Sequence, residues 1–147
     1  MGIIINKNVS NKKSKLILKE TGLNSIQPNP DIYFGGPVQM NRGLILHSCD
    51  YANSDSKIVS KHISITSNEE ILDDLANGKG PDKFRFTFGY AGWGENQLER
   101  EFENGDWLLL PASTGFIFDI PDNDKWAKAA NSFGIDILDI SGNTGIS

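Results

Sequence analysis

Apolar and polar residues alternate from Phe84 to Tyr90, with Phe84, Phe86 and Phe88 on one face and Arg85 and Thr87 on the other. This is the period-2 pattern of a half-buried strand. Ile63 and Ile65 alternate in the same way with His62 and Ser64, inside a run expected to form one strand over 58–66. Shorter strands are expected at 2–6, 32–35, 43–47, 106–110 and 115–118. Elsewhere the apolar spacing switches to the helical period. Ser67 and Glu70 read as a capping box, serine hydroxyl to the third amide and glutamate back to the first. Ile71, Leu72 and Leu75 then form a stripe that Gly78 ends. Trp126, Ala129, Ala130 and Phe133 recur at three- and four-residue spacings in a last helix over 122–133, between Pro121 and Gly134. A first helix is expected over 10–20, with Leu16 and Ile17 facing inward and Gly22 closing it. Many short strands in irregular order with helices argue for an α+β fold and not a regular βαβ array.

Composition narrows the class. The chain has 147 residues, 38% of them hydrophobic, enough for one domain with a single core. No apolar run approaches the ~20 residues of a membrane span, and the N-terminus lacks the order of a signal peptide. Cys49 is the lone cysteine, so no internal disulfide forms, in keeping with a reducing, cytoplasmic setting. The net charge is −5, unevenly spread: Lys7, Lys12, Lys13, Lys15 and Lys19 against Glu20 leave the first 20 residues at +4 and the rest at −9. Most of the surface therefore repels phosphate, and direct nucleic-acid binding is disfavoured. The stretches 24–30 and 141–147 have the composition of flexible segments.

The densest motif is GYAGWG at 89–94, followed by Gln97, Leu98 and Glu99 at the start of a short helix. A second block carries Gly35, Gly36, Pro37 and Val38, then Arg42 and Gly43, then Leu46, His47 and Ser48. With GIIINK at 2–7 and the late segment Phe118 to Ile120 with Trp126, these ordered blocks resemble the AlgH/YqgE family of bacterial proteins over nearly the whole chain. The resemblance implies one domain over 1–147, with a mixed, curved, partly barrel-like sheet packed with three to four short helices. It implies a fold more than a chemistry: members carry a transcriptional-regulator label that rests on genetics. Two departures stand out. Relatives have a segment before the strand with which this chain opens, so Met1 is expected to correspond to an internal methionine; the uncovered sheet side then favours self-association or lower stability. Glu95 and Asn96 also replace a small or proline residue and a glycine.

The glycine loop before a helix invites a phosphate reading, because helix N-termini present free amides. Its order is G-x-x-G-x-G, no Lys follows, and Glu95 stands where an anion would sit, so nucleotide binding is not expected. Glu95, Glu99 and Glu103 make an acidic stripe opposite the inward seam of Leu98 and Phe102. His47, Ser48, Cys49 and Asp50 contain the residue types of a nucleophile, its base and an orienter, but neighbours on a strand face opposite ways. A hydrolase using His47 with Ser48 or Cys49, or drawing on His62, is therefore the alternative to a binding module. The residues lack zinc-site spacing, and no metal or cofactor is expected. Trp107, leading Leu108 to Leu110, and Trp126 are expected in the core.

The preferred expectation is a non-enzymatic binding or regulatory module for a protein partner or small ligand. Gly35, Gly36, His47, Ser48, Tyr90, Trp93, Gln97 and Glu99 are its candidate site, and the GGP turn, LHS and GYAGWG are expected to line one aromatic groove.

Overall fold

In the computed structural model, residues 1–134 are described. Their order is α1 (Asn11–Thr21), a 3-10 turn (Leu23–Ser25), β1 (Ile32–Phe34), β2 (Val38–Ser48), β3 (Lys57–Ile58), β4 (Ile63–Thr66), α2 (Glu70–Ala76), β5 (Phe84–Tyr90), α3 (Gln97–Glu103), a π-helical turn (Gly115–Asp119) and α4 (Asp122–Ser132). The five strands form one sheet in the order β1-β5-β2-β4-β3. β1 runs parallel to β5 and every other pair is antiparallel, so the fold is α+β with a mixed sheet. The sheet is open, with β1 and the two-residue β3 as its edges; the β2–β5 ladder shifts register between Val38 and Gly43 instead of closing a barrel.

Pleating sends alternate residues to two faces, and both are buried. On one face Ile32, Ile45 and Phe86 meet Leu18, Leu23, Ile26 and Ile71, from α1, the turn after it and α2. On the other, Leu46 and Ile63 pack against Ile117, with Ile5 and Phe118 beside them. The alternation of Phe84, Phe86 and Phe88 is as the pattern predicts, but Arg85 and Thr87 are buried too, at 9% and 1% exposure. A sheet covered on both sides has no solvent face for them.

Several expected elements change form. Residues 2–6 run beside the sheet through single bridges, Gly2 with Ala91 and, further on, Asn8 with Tyr33, without becoming a strand. The expected strand over 58–66 is the β3–β4 hairpin, turned where the Val59 and Ser60 amides donate to the Ile63 carbonyl. Residues 115–118 form the π turn, closed by the Ile120 amide on the Gly115 carbonyl at 3.2 Å. Residues 106–110 form no strand, and Trp107, Leu108 and Leu109 are exposed rather than buried. Trp126 is half-buried on α4. In α1 the residue that faces in beside Ile17 is Leu18, while Leu16 is exposed.

The capping box does not form. Asp55, twelve residues upstream, accepts from the Ser67 amide (2.7 Å), the Ser67 hydroxyl (2.9 Å) and the Asn68 amide (3.1 Å). A carboxylate brought by the tertiary fold holds the chain just before α2 and displaces the serine's local option. Those donors hold the Asp55 carboxyl below its ordinary range.

Candidate functional site

Backbone packing brings two of the three motif blocks together. Gly89 has φ +77°, and a Cβ there would stand 2.1 Å from the Gly36 carbonyl oxygen. A Cβ on Gly36 would meet the Tyr90 carbonyl carbon at 2.1 Å. The GGP turn and the start of GYAGWG are thus two main chains in direct contact, which only glycine permits on either side. Gly35 is fixed into the same hub by its amide, which donates to the Phe88 carbonyl at 2.8 Å. The N-terminal segment joins through the Gly2–Ala91 bridge, with Gly2 lying against the Trp93 ring.

Beyond this hub the chain turns into α3. Asn96 has φ +57°, the left-handed region that Asn tolerates better than other side chains, so it fills a glycine's conformational role. Gln97 is used internally: its Oε1 accepts the Gly94 amide (2.9 Å) and its Nε2 donates to Glu101 (2.9 Å). Glu101 also accepts the indole N–H of Trp93 (3.1 Å) and of Trp107 (2.7 Å). The hydrogen bonds from Trp107, Gln97 and Trp93 outweigh desolvation and hold its carboxyl below the usual range. The two indoles meet edge to face, centroids 5.9 Å apart. Trp107 is 46% exposed and continues into Leu108 at 59% and Leu109 at 72%. The result is an aromatic and aliphatic platform on a base hydrogen-bonded by Glu101, with Asp106 exposed next to Trp107 in the chain and Glu99 and Glu103 exposed on α3.

His47 and Ser48 lie elsewhere. Val38 pairs with Tyr90 at one end of the β2–β5 ladder, and His47 pairs with Phe84 at the other. The buried His47 ring donates from Nδ1 to the Ser48 carbonyl (2.8 Å), and its Nε2 hydrogen-bonds with the Thr66 hydroxyl (2.8 Å). Thr66 in turn meets Ser56 at 2.7 Å, and Tyr51 packs edge-on against the imidazole. His47 therefore latches the 51–56 loop onto the sheet. Ser48 points the other way: its hydroxyl donates to Asp50 (2.5 Å) and accepts the Lys83 amide (3.1 Å). Burial raises the Asp50 pKa, but the Ser48 hydroxyl and Asp82 amide outweigh it and the net shift is downward. Cys49 sits 3.2 Å from the Ser64 hydroxyl, and His62 is exposed. Neither histidine ring hydrogen-bonds to Ser48 Oγ or Cys49 Sγ, so the pair a hydrolase needs is not assembled. Among the described residues no group of three His, Cys, Asp or Glu side chains is placed to hold a metal, and no helix is long and apolar enough to cross a membrane.

The structure also joins residues that sequence patterning left apart. Asp122, at the start of α4, accepts from Arg85 Nη1 (3.1 Å), Lys125 Nζ (2.9 Å) and the Tyr33 hydroxyl (2.7 Å). The Arg85 guanidinium lies 4.3 Å over the Tyr33 ring. Burial, then the bond to Asp122, pushes the Tyr33 pKa up to about 12. Burial alone would raise Asp122, but Lys125, Tyr33 and the charge of Arg85 bring it below the ordinary carboxylate value. The one advance signal was a charged residue on the second face of a central strand.

Comparison with known proteins agrees with this architecture. A family model described as AlgH-like matches residues 1–138. A UPF0301 protein of Methylococcus capsulatus is 38% identical over 92% of this chain and 75% of its own length. Another, from Cupriavidus metallidurans, is 37% identical over 99% and 77%. The solution structure of the AlgH protein from Pseudomonas aeruginosa superposes with a TM-score of 0.73 at 30% identity, covering all of this chain and 79% of that one. A protein of Corynebacterium diphtheriae shares the fold at 18% identity and a TM-score of 0.64, over 88% and 69% of the two chains. Over nearly its whole length, then, this chain belongs to the AlgH-like family.

Proposed function

We propose that this chain is a non-enzymatic binding module that captures a protein partner on the Trp93–Trp107 platform. The observation that carries the reading is the exposure of Trp107, Leu108 and Leu109 beside a paired tryptophan whose base is fixed by Glu101 and the glycine hub. Interface energy concentrates in such anchored aromatics, with Trp foremost, and immobility lowers the entropy lost on association. The exposed carboxylate of Asp106, adjacent to Trp107 in the chain, favours a partner segment that carries Lys or Arg beside an apolar anchor. A regulatory role would then act through protein contact and not through DNA, which the −9 charge beyond residue 20 repels.

The test is affinity capture from the source cell with the wild type and with the double variant Trp107→Ala, Leu109→Ser, followed by cross-linking of the captured complex. A partner that cross-links to 93–109, weakens with salt and is lost from the variant supports the reading. A partner retained by the variant, or salt-sensitive DNA retention by the wild type, refutes it.

A further inference from the structure

At the far end of the sheet from the platform, where the parallel strands β1 and β5 begin, lies a cleft of about 590 Å³. That is within the ~300–1,000 Å³ range of small-ligand sites. Tyr33, Phe84, Arg85 and Phe118 line it, as do the exposed Asp31 and Asp82. Arg85 is only 9% exposed, yet its hydrogen bonding is incomplete. Nη1 donates to the Ile5 carbonyl (2.8 Å) and to Asp122, whereas Nη2 has only the Phe118 carbonyl at 3.5 Å. Nε has no acceptor among the described residues. Since no fully buried side-chain nitrogen or oxygen there is left without a partner, Nε keeps some exposure, and this cleft is one that Arg85 lines. The Nε and Nη2 edge of a guanidinium is one that grips a carboxylate with two parallel bonds.

The charge balance points the same way. Arg85 and Lys125, the latter 2% exposed, share the single carboxylate of Asp122. Lys125 completes its shell with the Ile120 carbonyl at 2.5 Å, and Tyr33 is neutral because its pKa is near 12. Within this hydrogen-bonded cluster two buried cations therefore share one carboxylate, where buried charges are ordinarily paired one to one. An anion on Arg85 would restore that pairing. Among the other lining residues Lys83 pairs with Asp119, which leaves Asp31 and Asp82 to repel a dianion and attract a cation.

We propose that this cleft binds the α-carboxylate of a basic amino acid, free or at the C-terminus of a short peptide. The carboxylate sits on the Nε and Nη2 edge of Arg85. The aliphatic stem lies along Phe84 and Phe118, and the cationic tip meets Asp31 and Asp82.

The experiment titrates the full chain with Ala-Ala-Lys in its acid and C-terminal amide forms, with free L-lysine and with orthophosphate, followed by amide NMR and calorimetry. The acid form should shift the amides of 26–31 and 80–85 and the Arg85 Nε–H saturably, and bind about tenfold or more tighter than the amide form. Free lysine binding as well as the peptide assigns the free amino acid; binding of the peptide alone assigns the C-terminus. The double variant Asp31→Asn, Asp82→Asn should lower affinity for Ala-Ala-Lys and not for Ala-Ala-Ala. Arg85→Lys should abolish the acid-over-amide preference; because Arg85 also holds Ile5 and Asp122, the double variant carries the test if that protein does not fold. Equal binding of acid and amide, tighter binding of orthophosphate, or no saturable shift up to ~10 mM, where affinity falls below any specific site, overturns the proposal.

Discussion

Asp122→Asn tests the buried charge cluster most directly. In the folded chain both carboxylate oxygens are committed, one to Arg85 and Lys125 and the other to the Tyr33 hydroxyl. The amide keeps the shape but removes the negative charge that two buried cations share, and its NH2 has a donor's needs where an acceptor stood. Breaking a fully buried pair by deleting one partner costs about 3–5 kcal/mol. The Asp122 side chain keeps 19% of its exposure, so about 2–4 kcal/mol is expected, a fall of roughly 5–15 °C in melting temperature for a chain of this size. Asp119→Asn is the control, since its ion pair with Lys83 is 54% and 34% exposed. An exposed pair is worth less than about 1 kcal/mol.

The same substitution carries a pH signature. The folded pKa of Asp122 is lowered, so its contribution is complete above the unfolded carboxylate value of ~3.9 and is lost as pH falls through the folded pKa. Calorimetry and urea unfolding of wild type and variant should show a constant gap above ~pH 5 that closes below ~pH 4. A variant that melts with the wild type refutes the reasoning. So does a gap that persists unchanged into strong acid, or an equal loss in Asp119→Asn.

Three further outcomes are expected. Gly89→Ala should cost more than ~2 kcal/mol, because strain at φ +77° adds to a clash with the Gly36 carbonyl; Gly105→Ala, at φ +78° with open space around it, should cost ~1–2 kcal/mol, and equal losses in urea melts would contradict the hub. Asp55→Ala should cost about 0.5–2 kcal/mol and speed amide exchange through residues 67–74, whereas Glu70→Ala should leave exchange unchanged; the reverse order would restore the capping box. Trp107→Ala should lower stability by only ~1–2 kcal/mol, against ~3–5 for a buried indole, while removing partner capture; a larger loss would return Trp107 to the core.

Local periodicity carried much of the fold. The phenylalanine alternation located β5, and the apolar stripes located α2 and α4 within a residue or two. It failed where an apolar run had no ladder partner. Trp107 to Leu110 reads as a buried strand, but Glu101 and Trp93 capture the Trp107 ring and draw the run along the surface. Gly115 to Phe118 reads as a strand too, yet i to i+5 bonding winds it into a turn that presents Ile117 to the second core. Ser67 and Glu70 satisfy the rule for a helix start, and the rule lost to a carboxylate twelve residues away that no local window contains. Glu101 escaped notice for the opposite reason. The i, i+4 spacing drew attention to Glu95, Glu99 and Glu103, while the glutamate that matters is defined by two indoles on either side of α3.

The motif blocks that identify the family are, in this chain, mostly devices of architecture. Gly36 and Gly89 let two main chains touch, Gln97 ties the loop to the helix, and His47 is closed off by Ser48 and Thr66. Each spends its hydrogen bonds or its missing side chain inside the fold. The groups with something left over are those that no spacing rule marks: a half-exposed indole leading two exposed leucines, and an arginine in a cleft whose Nη2 has only a long bond to a carbonyl. Binding draws on unsatisfied capacity held in a fixed position. By that criterion the glycine hub is the frame, and the two proposed binding surfaces lie at the two ends of the sheet it holds.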